Sequence, residues 1–300
     1  MRVLVTGGKG FLGAWMARRL ARRGCSLRVL DVLEDRSLVA QIAGRDVAES
    51  IDWRVGDIVS GATVRDAAEG CDAIVHLAGV LTPDCAADPV RGAQINLIGT
   101  LNIFEAARAY GIARLVYTSS GGVFGPTDGA SPLPQSHYGA FKLACEGSAR
   151  AYWNDHRLPS VGFRPYIVYG PGRETGLTAG PTLACRAAAR GEAYTIGYTG
   201  VAGLIYVDDV AAAYEAALLG PTQGARVFNL NGVSVSTDEL AAEIGRLSPA
   251  ARIDAAGPRL LMPEALAPDD IDSILPGLPQ TGLSDGLAQT IAWYRRGCAP

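Results

Sequence analysis

Tyr138 and Lys142 are the two residues of this chain whose spacing points most directly to chemistry. They are four residues apart in a stretch predicted to be helical, so their side chains share one face. A free tyrosine has a pKa of about 10, too high for a base at neutral pH, but a neighbouring lysine ammonium stabilises a tyrosinate. The pair is typical of proton exchange with a substrate hydroxyl. The alternative is an exposed tyrosine and lysine one helical turn apart.

Three glycines near the N-terminus follow a short apolar run and precede an alanine- and arginine-rich helix predicted from about 11 to 23. Gly7 allows a tight turn, Gly10 lets backbone N–H groups approach a pyrophosphate, and Gly13 lets the helix pack close to the strand. The helix N-terminus directs its partial positive charge at the phosphates. The pattern predicts a dinucleotide-binding turn, although other tight strand-to-helix turns also use such glycines.

Asp31 ends the next predicted strand, about 20 residues after the glycines. A carboxylate there binds both ribose hydroxyls of NAD and repels the 2′-phosphate of NADP. We therefore predict NAD as the cofactor and NADP as the less favoured one, although Arg36 is near enough in sequence to reach a phosphate if its loop folds back. With NAD bound, proton exchange at Tyr138 would accompany hydride transfer at a carbinol or ketone carbon.

Strand-like runs alternate with amphipathic helical stretches, which indicates βαβ units around a parallel sheet. The sequence predicts an α/β fold of Rossmann type, a doubly wound parallel sheet with a small interleaved C-terminal substrate-binding portion. Residues 1–168 would form the NAD-binding domain. Residues 169–300 would mainly bind substrate, with 205–248 returning to the main sheet. Strands are expected near 2–6, 26–31, 51–55, 72–77, 113–119, 160–165 and 226–230, and helices near 11–23, 62–69, 90–110, 137–156, 180–190, 208–219, 236–248 and 284–297.

Composition narrows the function classes. The 300 residues are 48% hydrophobic and carry a net charge of −3, which argues against a nucleic-acid partner or an anionic membrane surface. No apolar run approaches the ~20 residues that span a bilayer. The cysteines lack metal-ligand or close spacing, and no histidine pair has ligand spacing, so we expect reduced thiols, a cytoplasmic protein and no metal. The cysteines are residues 25, 71, 85, 145, 185 and 298.

The chain resembles the extended short-chain dehydrogenase/reductase superfamily, and within it the NAD-dependent epimerase/dehydratase branch. The glycine turn has the GxxGxxG spacing of this group in a TGGxGFLG setting. The motifs continue in the expected order over essentially the whole chain. They are Asp57-Ile58, the HLAG stretch 76–79, Asn96 in NLIGTLN, Thr118-Ser119-Ser120, YGAFK at 138–142, RPYIVYG at 164–170 and YVDDV at 206–210.

The resemblance implies further site residues. Ser120 would hydrogen-bond the reacting oxygen, with Ser119 and Thr118 as supports, and Lys142 would also bind the nicotinamide ribose. Beyond Gly7, Gly10, Gly13 and Asp31, the implied cofactor contacts are Phe11, Leu12, Asp57, Ile58, Leu77, Ala78, Gly79, Asn96, Thr118, Tyr138, Lys142, Pro165, Ile167 and Val168. The candidate substrate contacts are Leu81, Ser119, Gly121, His137, Tyr166 and Arg173.

Three departures from the family pattern bear on the substrate. Gly121 and Gly122 stand where sugar 4,6-dehydratases carry Asp-Glu, so a dehydratase is not expected. Ile167 replaces the asparagine that nucleotide-sugar epimerases usually place three residues after the arginine. No arginine occurs in 202–207, where one usually grips the diphosphate of the substrate. Arg173 would compensate or would pair with Glu174.

We therefore expect a carbohydrate-like small molecule as substrate: a sugar, a sugar acid, or a similar polyhydroxy or keto compound. The alternatives are a nucleotide-sugar (NDP-hexose) epimerase and, more distantly, a non-catalytic NAD-sensing protein. The family also pairs two long helices across a two-fold axis. This implies a homodimer through the helices near 90–110 and 137–156.

Overall fold

Parallel strands in the order β10-β6-β5-β4-β1-β2-β3 form the central sheet of the computed structural model, which describes residues 1–126, 130–221 and 223–297. Cys298 lies outside the described residues. The strands are β1 (Arg2–Thr6), β2 (Ser26–Asp31), β3 (Asp52–Val55), β4 (Ala73–His76), β5 (Leu115–Thr118), β6 (Ser160–Pro165), β7 (Ile167–Tyr169), β8 (Tyr194–Ile196), β9 (Val201–Tyr206), β10 (Ala225–Leu230), β11 (Val233–Ser236) and β12 (Ile253–Ala255).

The helices cover both faces of the sheet. They are α1 (Phe11–Arg22), α2 (Ser37–Ala43), α3 (Arg45–Ser50), α4 (Gly61–Ala68), α5 (Thr82–Ala87), α6 (Pro89–Ala93), α7 (Gly99–Tyr110), α8 (His137–His156), α9 (Gly180–Arg190), α10 (Val207–Leu219), α11 (Thr237–Leu247), α12 (Ile271–Ile274) and α13 (Leu283–Gly297). Alternation along β1 shows how the two layers form. Val3 and Val5 pack into the core cluster on the α1 and α10 face, and Leu4 packs into the cluster of α4 and α7.

The helix expected near 90–110 is not continuous α-helix. A π-helical turn, Gln94–Ile98, separates α6 from α7 and contains Asn96. Such a turn inserts one extra residue into the helix and frequently marks a functional site.

Two smaller sheets were not expected from the sequence. One has the order β11-β9-β7 and the other pairs β12 with β8. Their strands have three to six residues, and β9 runs directly into α10, so no turn residues mark the boundary. Within the predicted returning segment 205–248, α10 packs against the main sheet, whereas β11 pairs with β9. β10 joins the main sheet beside β6.

Residues 1–126, 130–221 and 223–297 contain neither a candidate membrane span nor a candidate metal site. None of the helices within these ranges combines the length and apolar character that crossing a bilayer requires. In the same part of the chain, no group of three or more His, Cys, Asp or Glu side chains is arranged to hold a metal ion.

Candidate active site

The glycine turn between β1 and α1 is built by close backbone approach. Gly7 has φ +72°, and a Cβ added there would lie 2.8 Å from the Ala78 nitrogen. A Cβ at Gly13 would lie 2.6 Å from the Gly7 oxygen. No side chain caps α1, whose first turn contains Phe11 and Leu12, so its backbone donors are free of a side-chain acceptor. The turn therefore fits the pyrophosphate of a dinucleotide.

Asp31 lies at the end of β2 beside this turn and is 8% exposed. Its carboxylate accepts hydrogen bonds from the Lys9 nitrogen at 3.1 Å and the Val32 nitrogen at 2.8 Å, and burial raises its pKa. Arg36 is already engaged, because its Nε contacts Glu34 at 2.7 Å and its Nη1 donates to backbone carbonyls of the 48–51 segment. This arrangement fits a free ribose hydroxyl at Asp31.

The Tyr138–Lys142 pair lies on α8, as the spacing predicts. Ser136 caps the helix by accepting a hydrogen bond from the Gly139 nitrogen. Lys142 is 3% exposed, its Nζ donates to the Thr118 carbonyl at 2.9 Å, and this atom lies 5.7 Å from the centroid of the Tyr138 ring. The structure therefore places the Lys142 nitrogen beside the aromatic ring of Tyr138, as the shared helical face predicts.

Ser120 and Tyr138 meet at Gly122. The Ser120 hydroxyl accepts a hydrogen bond from the Gly122 nitrogen at 3.0 Å. A Cβ on Gly122 would lie 3.2 Å from Ser120 Oγ and 3.7 Å from the Tyr138 ring. The structure thus brings Ser120, Tyr138 and Lys142 together at the carboxyl end of β5, where open α/β sheets bind ligands.

Asn96 is fully buried, and its side chain is occupied. Its amide donates to the Val80 carbonyl at 3.0 Å and accepts from the Val80 nitrogen at 3.3 Å. A Cβ on Gly79 would lie 2.6 Å from Asn96 Oδ1 and 3.6 Å from Lys142 Nζ. Asn96 therefore positions the loop after β4, which contains Leu77 and Ala78, and places this loop against the lysine.

Of the remaining implied cofactor contacts, one is at the surface and the others are buried. Asp57 is at the surface, where its carboxylate pairs with Arg91 at 2.7 Å. Ile58 is 5% exposed and packs beneath Gly99 in the core. Pro165, Ile167 and Val168 are buried where β6 passes into β7. The side chains of these buried residues pack in the protein interior, so a ligand would contact their backbone atoms.

A buried charge pair next to the site was missed in the sequence. The Ser119 hydroxyl, a candidate substrate contact, is 1% exposed and donates to Glu146 at 2.5 Å. Glu146 also accepts two hydrogen bonds from Arg164. The spacing along α8 could have indicated that Glu146 lies near the site, because Tyr138, Lys142 and Glu146 lie at i, i+4 and i+8.

Tyr166, another candidate substrate residue, lies against Gly121. The Tyr166 ring lies 3.0 Å from a Cβ added at Gly121, and its hydroxyl donates to the Pro263 carbonyl. The side chain of Leu266 approaches the same point at 3.5 Å. The C-terminal segment around 263–266 therefore covers this side of the site. His137 is exposed and stacks on Phe141.

Arg173 is not paired with Glu174, so that alternative is wrong. Glu174 instead pairs with Arg186 at 2.9 Å, because α9 presents Arg186 to it. The guanidinium carbon of Arg173 lies 5.9 Å from the centroid of the Phe11 ring. A Cβ on Gly176 would lie 3.0 Å from Leu81 and 3.6 Å from Arg173 Nη2. Arg173 and Leu81 therefore converge near the start of α1.

Comparisons with known proteins agree with this architecture. A sequence model of the NAD dependent epimerase/dehydratase family matches residues 3–230. The UDP-glucose 4-epimerase of Mycolicibacterium smegmatis is 32% identical, over 98% of this chain and 99% of its own. The 2-alkyl-3-oxoalkanoate reductase of Stenotrophomonas maltophilia is also 32% identical, over 85% of this chain and 78% of its own. The crystal structure of the Thermus thermophilus UDP-glucose 4-epimerase in complex with NAD has a TM-score of 0.84 at 28% identity, covering 100% of both chains.

These matches confirm several predictions: the family resemblance, the Rossmann-type α/β fold, an enzyme of the extended short-chain dehydrogenase/reductase type, and NAD as the cofactor. Because the family match covers more than half of the sequence, the chain belongs to the NAD dependent epimerase/dehydratase family.

Proposed function

We propose that the enzyme moves a proton and a hydride at a carbinol or ketone carbon of a sugar, a sugar acid or a similar small polyhydroxy or keto compound. The observation that carries this proposal is the buried Lys142 ammonium, 5.7 Å from the centroid of the Tyr138 ring. In the proposed reaction, Tyr138 Oη exchanges the proton with the substrate oxygen and Ser120 Oγ hydrogen-bonds the same oxygen.

Each residue has a separate task in this proposal. Lys142 places positive charge beside the phenol of Tyr138, which favours the tyrosinate. The Thr118 carbonyl orients Lys142 through the 2.9 Å hydrogen bond. Ser120 can donate its hydroxyl proton to the reacting oxygen, because the Gly122 nitrogen already donates to Ser120 Oγ. NAD, held by the glycine turn and Asp31, would supply the hydride acceptor or donor.

The substrate class rests on the departures in the sequence. Ile167 is apolar where the epimerase pattern has an asparagine, and 202–207 contain no arginine. A nucleotide-sugar epimerase remains the alternative, because the Mycolicibacterium relative, which is 32% identical, is named a UDP-glucose 4-epimerase. The Stenotrophomonas relative is named as a reductase of an oxoalkanoate, so chains equally similar to this one differ in substrate. A non-catalytic NAD sensor is the least favoured alternative, because Tyr138 and Lys142 are both present.

Several broader features belong to the same proposal. The assignment of 169–300 mainly to substrate binding remains a proposal, as do the remaining cofactor and substrate contacts. The homodimer through α7 and α8 and the cytoplasmic location are also proposals. The predicted absence of nucleic-acid partners rests on the net charge of −3.

A substrate screen with a matched variant tests the function. Purified enzyme with NAD is offered free sugars, sugar acids and UDP-glucose, and both absorbance at 340 nm and product identity are recorded. Net NADH formation identifies a dehydrogenase, and an isomerised product without NADH identifies an epimerase. Tyr138→Phe is run on every active substrate. Turnover by Tyr138→Phe at the wild-type rate would exclude the proposed mechanism.

A further inference from the structure

Arg173 lies near the start of α1 and forms no ion pair within the part of the chain that the structure describes. Its side chain is partly buried over the ring of Phe11, at 5.9 Å from the centroid. Nη2 donates to the Thr178 hydroxyl at 3.0 Å. Nε is buried and has no hydrogen-bond partner among the described residues. One of its donors is therefore neither solvated nor paired.

Two other arginines whose side chains are largely buried have a carboxylate partner. Arg28 contacts Asp52 at 2.7 Å and also donates to two backbone carbonyls. Arg164 contacts Glu146 at 2.6 Å. Within residues 1–126, 130–221 and 223–297, no carboxylate forms an ion pair with Arg173.

Burying a cation without a counter-ion costs free energy, so such a group usually has a ligand or a catalytic task. Burial lowers the pKa of Arg173, and the Tyr138 and Tyr198 hydroxyls lie near enough to act on it electrostatically. Tyr198 is 5% exposed, and its hydroxyl has no hydrogen-bond partner in the described part of the chain. Two buried donors without a hydrogen-bond partner among the described residues thus lie within electrostatic range of each other, and Arg173 lies over Phe11 at the start of α1.

We propose that Arg173 and the Tyr198 hydroxyl form an oxyanion-binding subsite for a ligand lying between the glycine turn and Tyr138. The ligand group is a carboxylate or a phosphate, which an arginine binds through charge-assisted hydrogen bonds. Two molecules can bring such a group to this place: the cofactor, through its pyrophosphate, and an acidic substrate. The substrate version rests on the proposed function and narrows it to compounds carrying an acid group.

Arg173→Met tests the subsite, because methionine keeps an apolar stem over Phe11 and removes only the charge and donors. Arg186→Met is the matched control, since it removes an arginine that already has a carboxylate partner, Glu174. Three quantities are measured for wild type and both variants. They are the melting temperature without added ligand, the Kd for NAD, and the melting-temperature shift that inorganic phosphate or acetate produces in NAD-saturated protein.

The subsite predicts that Arg173→Met melts at or above the wild-type temperature without added ligand, because an uncompensated charge is gone. If the pyrophosphate is the partner, the NAD Kd rises about tenfold or more. If the substrate supplies the group, the NAD Kd is unchanged and the phosphate or acetate shift of the wild type disappears. Arg186→Met changes neither binding measurement.

Two results would overturn the subsite. One is an NAD Kd and an anion response in Arg173→Met that both lie within about twofold of wild type. The other is a melting temperature several degrees below wild type, which would assign Arg173 a structural task. The melting temperature, the NAD Kd and the anion-induced shift are all measured without turnover. A failed oxyanion subsite therefore leaves the Tyr138 mechanism standing, and an active Tyr138→Phe variant removes that mechanism without altering these binding results.

Discussion

The carboxylate of Glu146 receives two hydrogen bonds from the Arg164 guanidinium, at 2.8 and 2.6 Å, and is 0% exposed. Glu146 is on α8 one turn after Lys142, and Arg164 is on β6. Ser119, which donates to the same carboxylate, directly precedes Ser120. This pair therefore joins the helix that carries the proposed acid/base, Tyr138, to the strand end that carries Ser120.

Glu146→Gln should cost about 3–5 kcal/mol of unfolding free energy, because Arg164 is then left as an uncompensated buried charge. Urea titration followed by circular dichroism measures this. Asp254→Asn is the control, since it removes an ion pair with Arg252 whose side chains are 82% and 54% exposed, and it should cost less than about 1 kcal/mol. If both variants lost the same free energy of unfolding, the buried Glu146–Arg164 pair would contribute no more to stability than the exposed pair.

Substitutions of the three proposed catalytic residues should differ in whether they change kcat, NAD binding or both. Tyr138→Phe removes only a hydroxyl, so kcat should fall by about 10²–10⁴ while the NAD Kd hardly changes. Lys142→Met should lower kcat and also weaken NAD binding, because its ammonium is proposed to bind the nicotinamide ribose. Ser120→Ala should be the mildest, since one hydrogen bond is lost and the base remains. Steady-state kinetics and NAD titration of the three variants check this order. If Tyr138→Phe keeps near-full activity, His137 becomes the residue to test.

The helix that carries Tyr138 and Lys142 could be predicted from the sequence because it is a long segment with a clear helical period. The sequence predicted the helix 137–156 with the bounds that α8 has, and it placed Tyr138 and Lys142 on one face. It did not predict β7, β8 or β12, because three residues are too few to show a period. The occupied side chains of Asn96 and Ser119 were also unpredictable, since their partners Val80 and Glu146 lie 16 and 27 residues away.

Cofactor choice should depend on Asp31. Its carboxylate lies beside the glycine turn, and Arg36, the nearby cation that could reach a 2′-phosphate, is occupied by Glu34. NAD should therefore bind more tightly than NADP. Asp31→Asn should narrow the difference by removing the repulsive charge. Dissociation constants for both nucleotides with both proteins provide the measurement. Tighter NADP binding by the wild type would refute the assignment.

The proposed dimer makes a prediction about exposed apolar residues near α6 and α7. Val90 is 71% exposed and Ile98 is 42% exposed. If this surface pairs across a two-fold axis, Ile98→Asp should convert a dimer into a monomer, because a symmetric interface buries the new charge twice. Light scattering at micromolar concentration reports the mass. A wild-type monomer under these conditions would contradict the dimer.

His76 should make stability depend on pH. It is 2% exposed at the end of β4, and burial lowers its pKa from 6.5 to about 3. Its Nε2 lies 2.9 Å from the Thr100 hydroxyl, which itself donates to the Asn96 carbonyl, so the ring donates there. Nδ1, 2.7 Å from the Thr6 hydroxyl, is then the acceptor, and a second ring proton would break that bond.

The direction of the effect follows from proton counts. Between pH 6.5 and pH 3 the unfolded chain binds a proton at this residue that the folded chain does not bind, so stability falls as pH falls. From pH 8 to pH 5 the loss should be about 2 kcal/mol. Urea titrations across this range measure it. His76→Asn should be less stable at pH 8 and should lose this part of the pH dependence, whereas the exposed His156→Asn should keep it. An unchanged slope in His76→Asn would show that other groups set the acid sensitivity.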